Sequence, residues 1–493
     1  MRRFVLAIML LSVLVPMLPD RSSAAIGSLK IENSVAQKLA QGETTRALIV
    51  MTEQADVSAA NALPTKQAKG AYVLNTLRAT AERTQAGVRA ALERLGVTYR
   101  AYYVANVIAV ENLDARAATQ LAARPEVGRI EANPDVKFSA PVSSVPSTEA
   151  APKIGWNLQK IGAVSVWAQQ IRGKGIVVAN ADTGVQWDHP ALQKKYRGYA
   201  TKTGTVNHNY NWWDAIHSSI AGGTNPCGYN LGQPCDDYGH GTHTMGTLVG
   251  GNHDNKIGVA PRAKWIACRN MDNGVGRPST YMECFQFFLA PWDLSGSNPD
   301  PTKAPDVVSN SWGCPPSELC APDSLKIATD NLRAAGIFVS VSAGNDGSSC
   351  SSISDPASIY NAATTVGATD SRDALASFSS RGPVTVDGSN RRKPDLSAPG
   401  VNVRSSLPNG RYGMMSGTSM AAPHVAGAVA LLWQAAPTLR GNVKATERLL
   451  FKTAYRGVQT GNQVCGGTSK HDIPNNLSGF GRLDVWKAYR NLQ

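Results

Sequence analysis

The apolar and polar residues of this chain change rhythm several times, and each change marks a boundary. After the positively charged start Met1-Arg2-Arg3, residues 4–18 are apolar almost without interruption and run out at Ser22-Ser23-Ala24-Ala25. That flank, that length and that small-residue end predict a signal peptide over 1–25. The run is short for a membrane span, which takes about 20 apolar residues, so no stable membrane anchor is expected. Over residues 46–138 the pattern predicts a strand at 47–51, then a helix over 66–95 with Val73, Leu77, Val88, Leu92 and Leu95 on apolar positions. Two strands between 99 and 110 meet near Ala105-Asn106. A helix at 115–123 follows, and strand closes the unit over 127–138. The β-α-β-β-α-β order is that of a small ferredoxin-like α+β sandwich. Residues 141–152 are rich in Pro and Ser and predict an exposed linker.

From residue 154 onward, continuous apolar runs alternate with helical periodicity. Strands are predicted at 175–181, 264–269, 306–310, 337–342 and 364–368. Helices are predicted at 161–170, 240–250, 279–289, 323–335 and 419–435. Short runs that are apolar on both faces belong in a parallel sheet covered on both sides, so this part reads as an α/β doubly wound parallel sheet with flanking helices. The division is therefore 1–25, 26–140 (core about 46–138), a linker over 141–153, and a large domain over 154–493.

Composition narrows the class. Of the 493 residues, 42% are hydrophobic and 17% charged, enough apolar content for a large core and too little charge for wholesale disorder. The net charge of +13 is shared between residues 1–140 (17 basic, 12 acidic) and the remainder of the totals of 49 and 36, which is 32 and 24. No basic cluster stands out, which argues against a nucleic-acid groove. All eight cysteines fall after residue 226, and none has the Cys-x-x-Cys spacing of a zinc site. An even number downstream of an export signal reads as disulfides. Cys227–Cys235 and Cys314–Cys320 are expected as local loops, leaving Cys268–Cys284 and Cys350–Cys465. Spacing does not decide the connectivity, since eight cysteines allow 105 pairings.

Three stretches carry chemistry. Ser416-Gly417-Thr418-Ser419-Met420-Ala421-Ala422-Pro423-His424 reads as a tight turn, with Gly417 in a conformation closed to other residues, leading into an apolar helix. Ser419 is then at a helix N-terminus, where unpaired N–H groups favour developing negative charge. Asp182, in Asp182-Thr183-Gly184, ends an apolar run and sits at the carboxyl end of a buried strand. His240, in His240-Gly241-Thr242-His243, opens a helix. A serine nucleophile needs an imidazole to take its proton, and the imidazole needs a carboxylate to fix its tautomer. The chain order Asp, His, Ser is that of subtilisin, not of chymotrypsin or the α/β-hydrolases.

On these three motifs, with Gly258-Val259-Ala260-Pro261 and Ser309-Asn310-Ser311-Trp312-Gly313 beside them, residues 154–490 resemble the subtilisin-like serine proteases (subtilases). Within these they are most similar to the bacillopeptidase F group. The resemblance implies a secreted serine endopeptidase, extracellular or periplasmic, that hydrolyses peptide bonds of proteins through an acyl-enzyme. Asp182, His240 and Ser419 would be catalytic. The Asn345 side chain and the Ser419 N–H would form the oxyanion hole. Ser311, Trp312, Gly313, Ser342, Ala343 and Gly344 would bind substrate, with Trp312 where a Leu is common. Asp346 at that pocket's rim is expected to favour a basic side chain. His243 and His424 are expected to be structural.

Residues 26–140 resemble an inhibitory propeptide, an intramolecular inhibitor and folding aid removed by self-processing from about Phe138 into the linker. No cofactor is expected for the chemistry. A structural calcium is a candidate, with Asn252, Asp254 and Asn255 offering oxygens in a loop shorter than the usual calcium loop. The metal ligands are otherwise unknown, the partners are polypeptide substrates, and a monomer is expected. The competing readings are a catalytically silent binding protein that keeps the fold, and an esterase.

Overall fold

The computed structural model describes residues 30–138, 141–146, 153–252 and 255–492, so the expected signal segment lies outside the described residues. The first unit comprises Asn33–Ala40 (α1), Thr45–Met51 (β1), Lys66–Leu95 (α2), Tyr99–Tyr102 (β2), Val107–Leu113 (β3), Ala115–Ala122 (α3) and Val127–Ala132 (β4). Its sheet runs β2-β3-β1-β4 with antiparallel neighbours, the ferredoxin-like arrangement the pattern predicts. The helices start and stop where their caps say. Thr65 accepts the Ala68 N–H ahead of α2, Gly96 closes α2 with a left-handed residue, and Asp114 caps α3 through the Ala117 N–H.

Alternation along β1 sorts its two faces. Ala47, Ile49 and Met51 pack with α1, α2 and α3 residues in one core. Leu48 and Val50 face the other way, into a core shared with Phe285, Phe288 and Leu332 of the large domain. The small unit therefore has one face that is buried only by its neighbour.

After Val136–Lys137 (β5) and Ser143–Pro146 (β6), the large domain is built on seven strands. They are Val177–Asp182 (β7), Trp212–Asp214 (β8), Lys264–Arg269 (β9), Val307–Asn310 (β10), Phe338–Ser342 (β11), Thr364–Thr369 (β12) and Leu396–Pro399 (β13). All are parallel, in the order β13-β12-β11-β10-β7-β9-β8. His240–Val249 (α4) and Thr418–Ala435 (α7) belong to the core on one face. Pro278–Leu289 (α5) and Lys326–Ala334 (α6) lie on the other, against the small unit. A hairpin, Val403–Leu407 (β14) and Arg411–Ser416 (β15), leads directly into α7.

Three features differ from the expectation. Strands β8, β13, β14 and β15 and helix α1 are additional, as are the helices Trp156–Lys160, Val443–Thr453 and Val485–Arg490. The segment expected as an exposed linker is in part a strand: β6 pairs antiparallel with Gly413–Ser416 of β15, whose edge supplies the main-chain partners. Gly417 is fully extended (φ 171°), a conformation open to any residue, so left-handed freedom is not why glycine stands there. The four disulfides are Cys227–Cys235, Cys268–Cys284, Cys314–Cys320 and Cys350–Cys465. Among the described residues, no helix is long and apolar enough to cross a membrane.

Candidate active site

β7 is the point where the sheet changes direction. The chain leaves it for β8 and β9 on one side and returns to β10 on the other, which opens a crevice at the carboxyl ends of the strands. Asp182 is the last residue of β7 and is fully buried. Its Oδ1 lies 2.7 Å from His240 Nδ1 and accepts the Thr183 N–H at 2.8 Å, while Oδ2 receives the Thr244 hydroxyl at 3.3 Å. A carboxylate only accepts, so Nδ1 carries the proton and Nε2 the lone pair. Among the described residues Nε2 has no hydrogen-bond partner.

The placement of His240 rests on Asp236, which the sequence motifs above do not include. Asp236 is half-buried and collects five donors ahead of α4. Its Oδ1 accepts the N–H of Tyr238 (3.1 Å) and of Gly239 (2.7 Å) and the Thr183 hydroxyl (2.8 Å). Its Oδ2 accepts the Thr242 N–H (2.8 Å) and hydroxyl (2.5 Å). It therefore ties the strand-end turn carrying Asp182 to the helix start carrying His240, and burial pushes its own carboxyl up from the usual range. The signal for it was present: an Asp a few residues before a helix start is a capping pattern.

Ser419 is the second residue of α7. Pro423 lies inside the helix and has no N–H to give the Ser419 carbonyl, four residues back. The Ser311 hydroxyl takes that carbonyl instead (3.1 Å), and the Ser419 Oγ donates to the Ser311 carbonyl (3.2 Å). This reciprocal pair locks the end of β10 to the start of α7. No hydrogen bond joins Ser419 Oγ to His240 Nε2. The ring of Phe138, from the small unit, packs on the imidazole with centroids 4.3 Å apart.

Asn345 follows β11. Its Oδ1 accepts the Thr418 N–H (2.9 Å) and hydroxyl (3.0 Å), which leaves the Nδ2 end of the amide as the donor on the cavity that Asn345 and Ser419 line together. That cavity, about 260 Å³, is also lined by Ser311, Trp312, Gly313, Ser342 and Gly344. Ala343 is not part of it: it is fully buried, with its N–H on the Val366 carbonyl. Trp312 contributes wall while its indole N–H donates to the Ala181 carbonyl (2.9 Å) and its ring stacks on Tyr281 at 4.0 Å. His243 is neutral, held by burial at about 3, with Nε2 on the carbonyls of Val403 and Gly413. His424, lowered to about 4 by burial, bridges the Met420 carbonyl and Asn157. Both are ties within the fold, as expected.

The calcium loop fits poorly. Asn255 gives its side-chain oxygen to the Arg404 guanidinium at 2.6 Å, so a cation already holds one expected ligand, and Asp254 lies outside the described residues. Among the described residues no group of three or more His, Cys, Asp or Glu side chains is arranged to hold a metal.

Residues 173–481 match the model of the subtilase family, peptidase S8. The chain belongs to the subtilase family. This subtilase is 35% identical to Bacillopeptidase F of Bacillus subtilis over 93% of its own length, and spans only 32% of that longer protein. It is 31% identical to subtilisin E of the same organism, covering 71% of this chain and 76% of that one. It is also 31% identical to the major intracellular serine protease, covering 66% and 86%. The matched region holds the seven-stranded sheet and the crevice at β7. The small N-terminal unit lies before it.

Proposed function

We propose that this subtilase is a secreted serine endopeptidase that cuts peptide bonds of polypeptides and is made as a self-processing precursor. The observation that carries the reading is the buried Asp182–His240 pair at 2.7 Å, with Nε2 unpartnered, in the same crevice as a serine hydroxyl at the start of a buried helix. In this reading Ser419 Oγ leaves the Ser311 carbonyl and attacks the scissile carbonyl while His240 Nε2 takes its proton. Asp182 stabilises the imidazolium, and the proton passes to the leaving amine. The Ser419 N–H, an unpaired donor of the first turn, and Asn345 Nδ2 stabilise the oxyanion. Loss of one such donor costs about 3 kcal/mol of barrier. No cofactor enters these steps.

Two contacts support substrate binding as an added strand. β5 pairs antiparallel with the edge segment Val275–Gly276, and the Phe138 N–H donates to the Gly274 carbonyl at 2.8 Å. The same contacts support the role of residues 26–140 as a propeptide, because they bring its last residues over His240. Export is supported by the apolar N-terminal run and the four disulfides.

The test compares intact mass and N-terminal sequence of the purified protein with those of Ser419→Ala. The reading expects the first form to lose its N-terminal unit, with a new N-terminus between Phe138 and the end of the linker, and Ser419→Ala to keep it. Identical trimming of both would remove Ser419 as the agent. An untrimmed, inactive wild-type chain would favour a silent binding protein.

A further inference from the structure

The cavity beside Ser419 has an acidic floor. Asp355, on the loop after β11, lines it together with Asp346 and Glu318. Asp355 is only 8% exposed and receives the Cys314 N–H, yet among the described residues no Lys or Arg pairs with it or with Asp346. Gly313 and Gly344 show how close the carboxylates lie to the cavity wall. A Cβ on Gly313 would collide with the Asp355 carboxylate. One on Gly344 would come within 3.4 Å of both Asp355 Oδ2 and Asp346 Oδ2. A single cation entering beside Gly344 thus meets two carboxylates at once. Leaving a carboxylate buried without a counter-charge is costly, and a protein that holds one in a substrate cavity is matched to a cation that arrives with the substrate.

We propose that Asp355, with Asp346 beside it, sets the specificity of this enzyme for Lys or Arg immediately before the scissile bond. The inference rests on the serine endopeptidase reading, because it takes the cavity next to Ser419 and Asn345 as the pocket for that residue. The aliphatic stem lies along the Trp312 and Gly313 wall, and the ammonium or guanidinium reaches the carboxylates at the floor. Burial and the neighbouring Asp346 push the Asp355 carboxyl up to about 7, the behaviour of a group whose counter-charge is missing from the free protein. Lys137 of β5 also lines the cavity, with its N–H on Glu318, while the run Phe138-Ser139-Ala140-Pro141-Val142 around the expected cut carries no cation. An intramolecular segment held at high effective concentration does not need one, so self-processing and the specificity of the finished enzyme are separable.

The experiment measures kcat/KM of the purified, self-processed full chain on four peptide anilides that differ only in the residue before the anilide: Arg, Lys, Gln and Phe. Arg and Lys are expected to exceed the neutral, similarly long Gln by about 100-fold, the size of a buried charge pair. Asp355→Asn lowers the Arg-to-Gln ratio by about 100-fold. Asp346→Asn, at a half-buried group, lowers it by less, about 3- to 10-fold. Benzamidine, a cation of the right shape, competes with substrate in the wild type, which reads the pocket even where Asp355→Asn does not fold. If the wild type cuts the Gln or Phe peptide as well as Arg and Lys, the pocket assignment is overturned while the protease reading stands. If no peptide is cut and Ser419 is not labelled by a fluorophosphonate, both fall together.

Discussion

Asp236 and Asp355 are carboxylates withdrawn from water near the candidate triad, yet they solve the problem of burial differently. Asp236 is surrounded by donors from the two turns it joins, so its charge is dispersed over five hydrogen bonds. Asp355 has the Cys314 N–H and faces two other acids, Asp346 and Glu318. Its carboxyl sits at about 7 against an ordinary 3.8. Between about pH 4 and pH 7 the unfolded chain has released a proton that the folded protein still holds. Stability therefore falls as pH rises through that window, by up to about 4 kcal/mol. In a Ser419→Ala background, which prevents self-digestion, urea melts at pH 4.5 and pH 8 are expected to show Asp355→Asn gaining on its parent at the higher pH. An equal difference at both pH values would mean that Asp355 is already ionised at pH 4.5. The candidate triad residues could be picked out as motifs because each motif is local: an acid at a strand end, a histidine and a serine at helix starts. Asp355 could not, since nothing in Ser354-Asp355-Pro356 says that Gly313 and Gly344 will lie against it.

At the scale of elements, α7 shows what burial on every side demands. From Thr418 to Trp433 every residue is buried, so the helix carries Gly and Ala where others approach. Gly427 is one such place: a Cβ there would stand 2.6 Å from Val259 Cβ, on the segment that packs across α7. Gly427→Ala gains helix propensity of about 1 kcal/mol and loses about 1–3 kcal/mol to overpacking. The net expectation is a loss of up to about 2 kcal/mol in chemical denaturation of the Ser419→Ala protein; a gain would show that Val259 moves freely. The long, strongly periodic elements were legible from their pattern. Helix α2 spans 66–95 as expected, and β9 spans 264–269. Helix α1 and the helix Val443–Thr453 are amphipathic and were missed all the same, while other elements that escaped have no pattern of their own. Trp212–Asp214 is three residues long and is a strand because β9 pairs with it; Leu396–Pro399 ends in a proline at the sheet's edge. Strand β6 likewise takes its form from β15, not from its Pro- and Ser-rich sequence.

For the whole molecule, the disulfides divide into local and long-range ties. Cys314–Cys320 spans 6 residues beside the cavity wall, whereas Cys350–Cys465 spans 115 and binds the loop carrying Asp346 and Asp355 to the C-terminal region. In the chain-entropy account a loop of that size contributes about 4–5 kcal/mol through the unfolded state. Replacing both Cys350 and Cys465 by Ser is expected to lower the unfolding midpoint of the Ser419→Ala protein sharply, while the shorter tie costs less. A midpoint unchanged by the double replacement would place the tie outside the cooperative unit.

The same scale brings the two ends of the linker into view. β5 is hydrogen-bonded to Val275–Gly276 on one side of the crevice, and β6 to β15 on the other. On the proposed self-processing, a cut between Phe138 and Val142 severs the covalent chain but leaves β5 and β6 each paired in its ladder, and the face of β1 still buried against α5 and α6. Breaking the bond and letting go are then two events with separate clocks. The nicked pair would persist as a tight, silent complex. The onset of activity would be timed by how fast the small unit peels away or is itself digested, so a precursor cut promptly could still be released late, at a distance from where it was made.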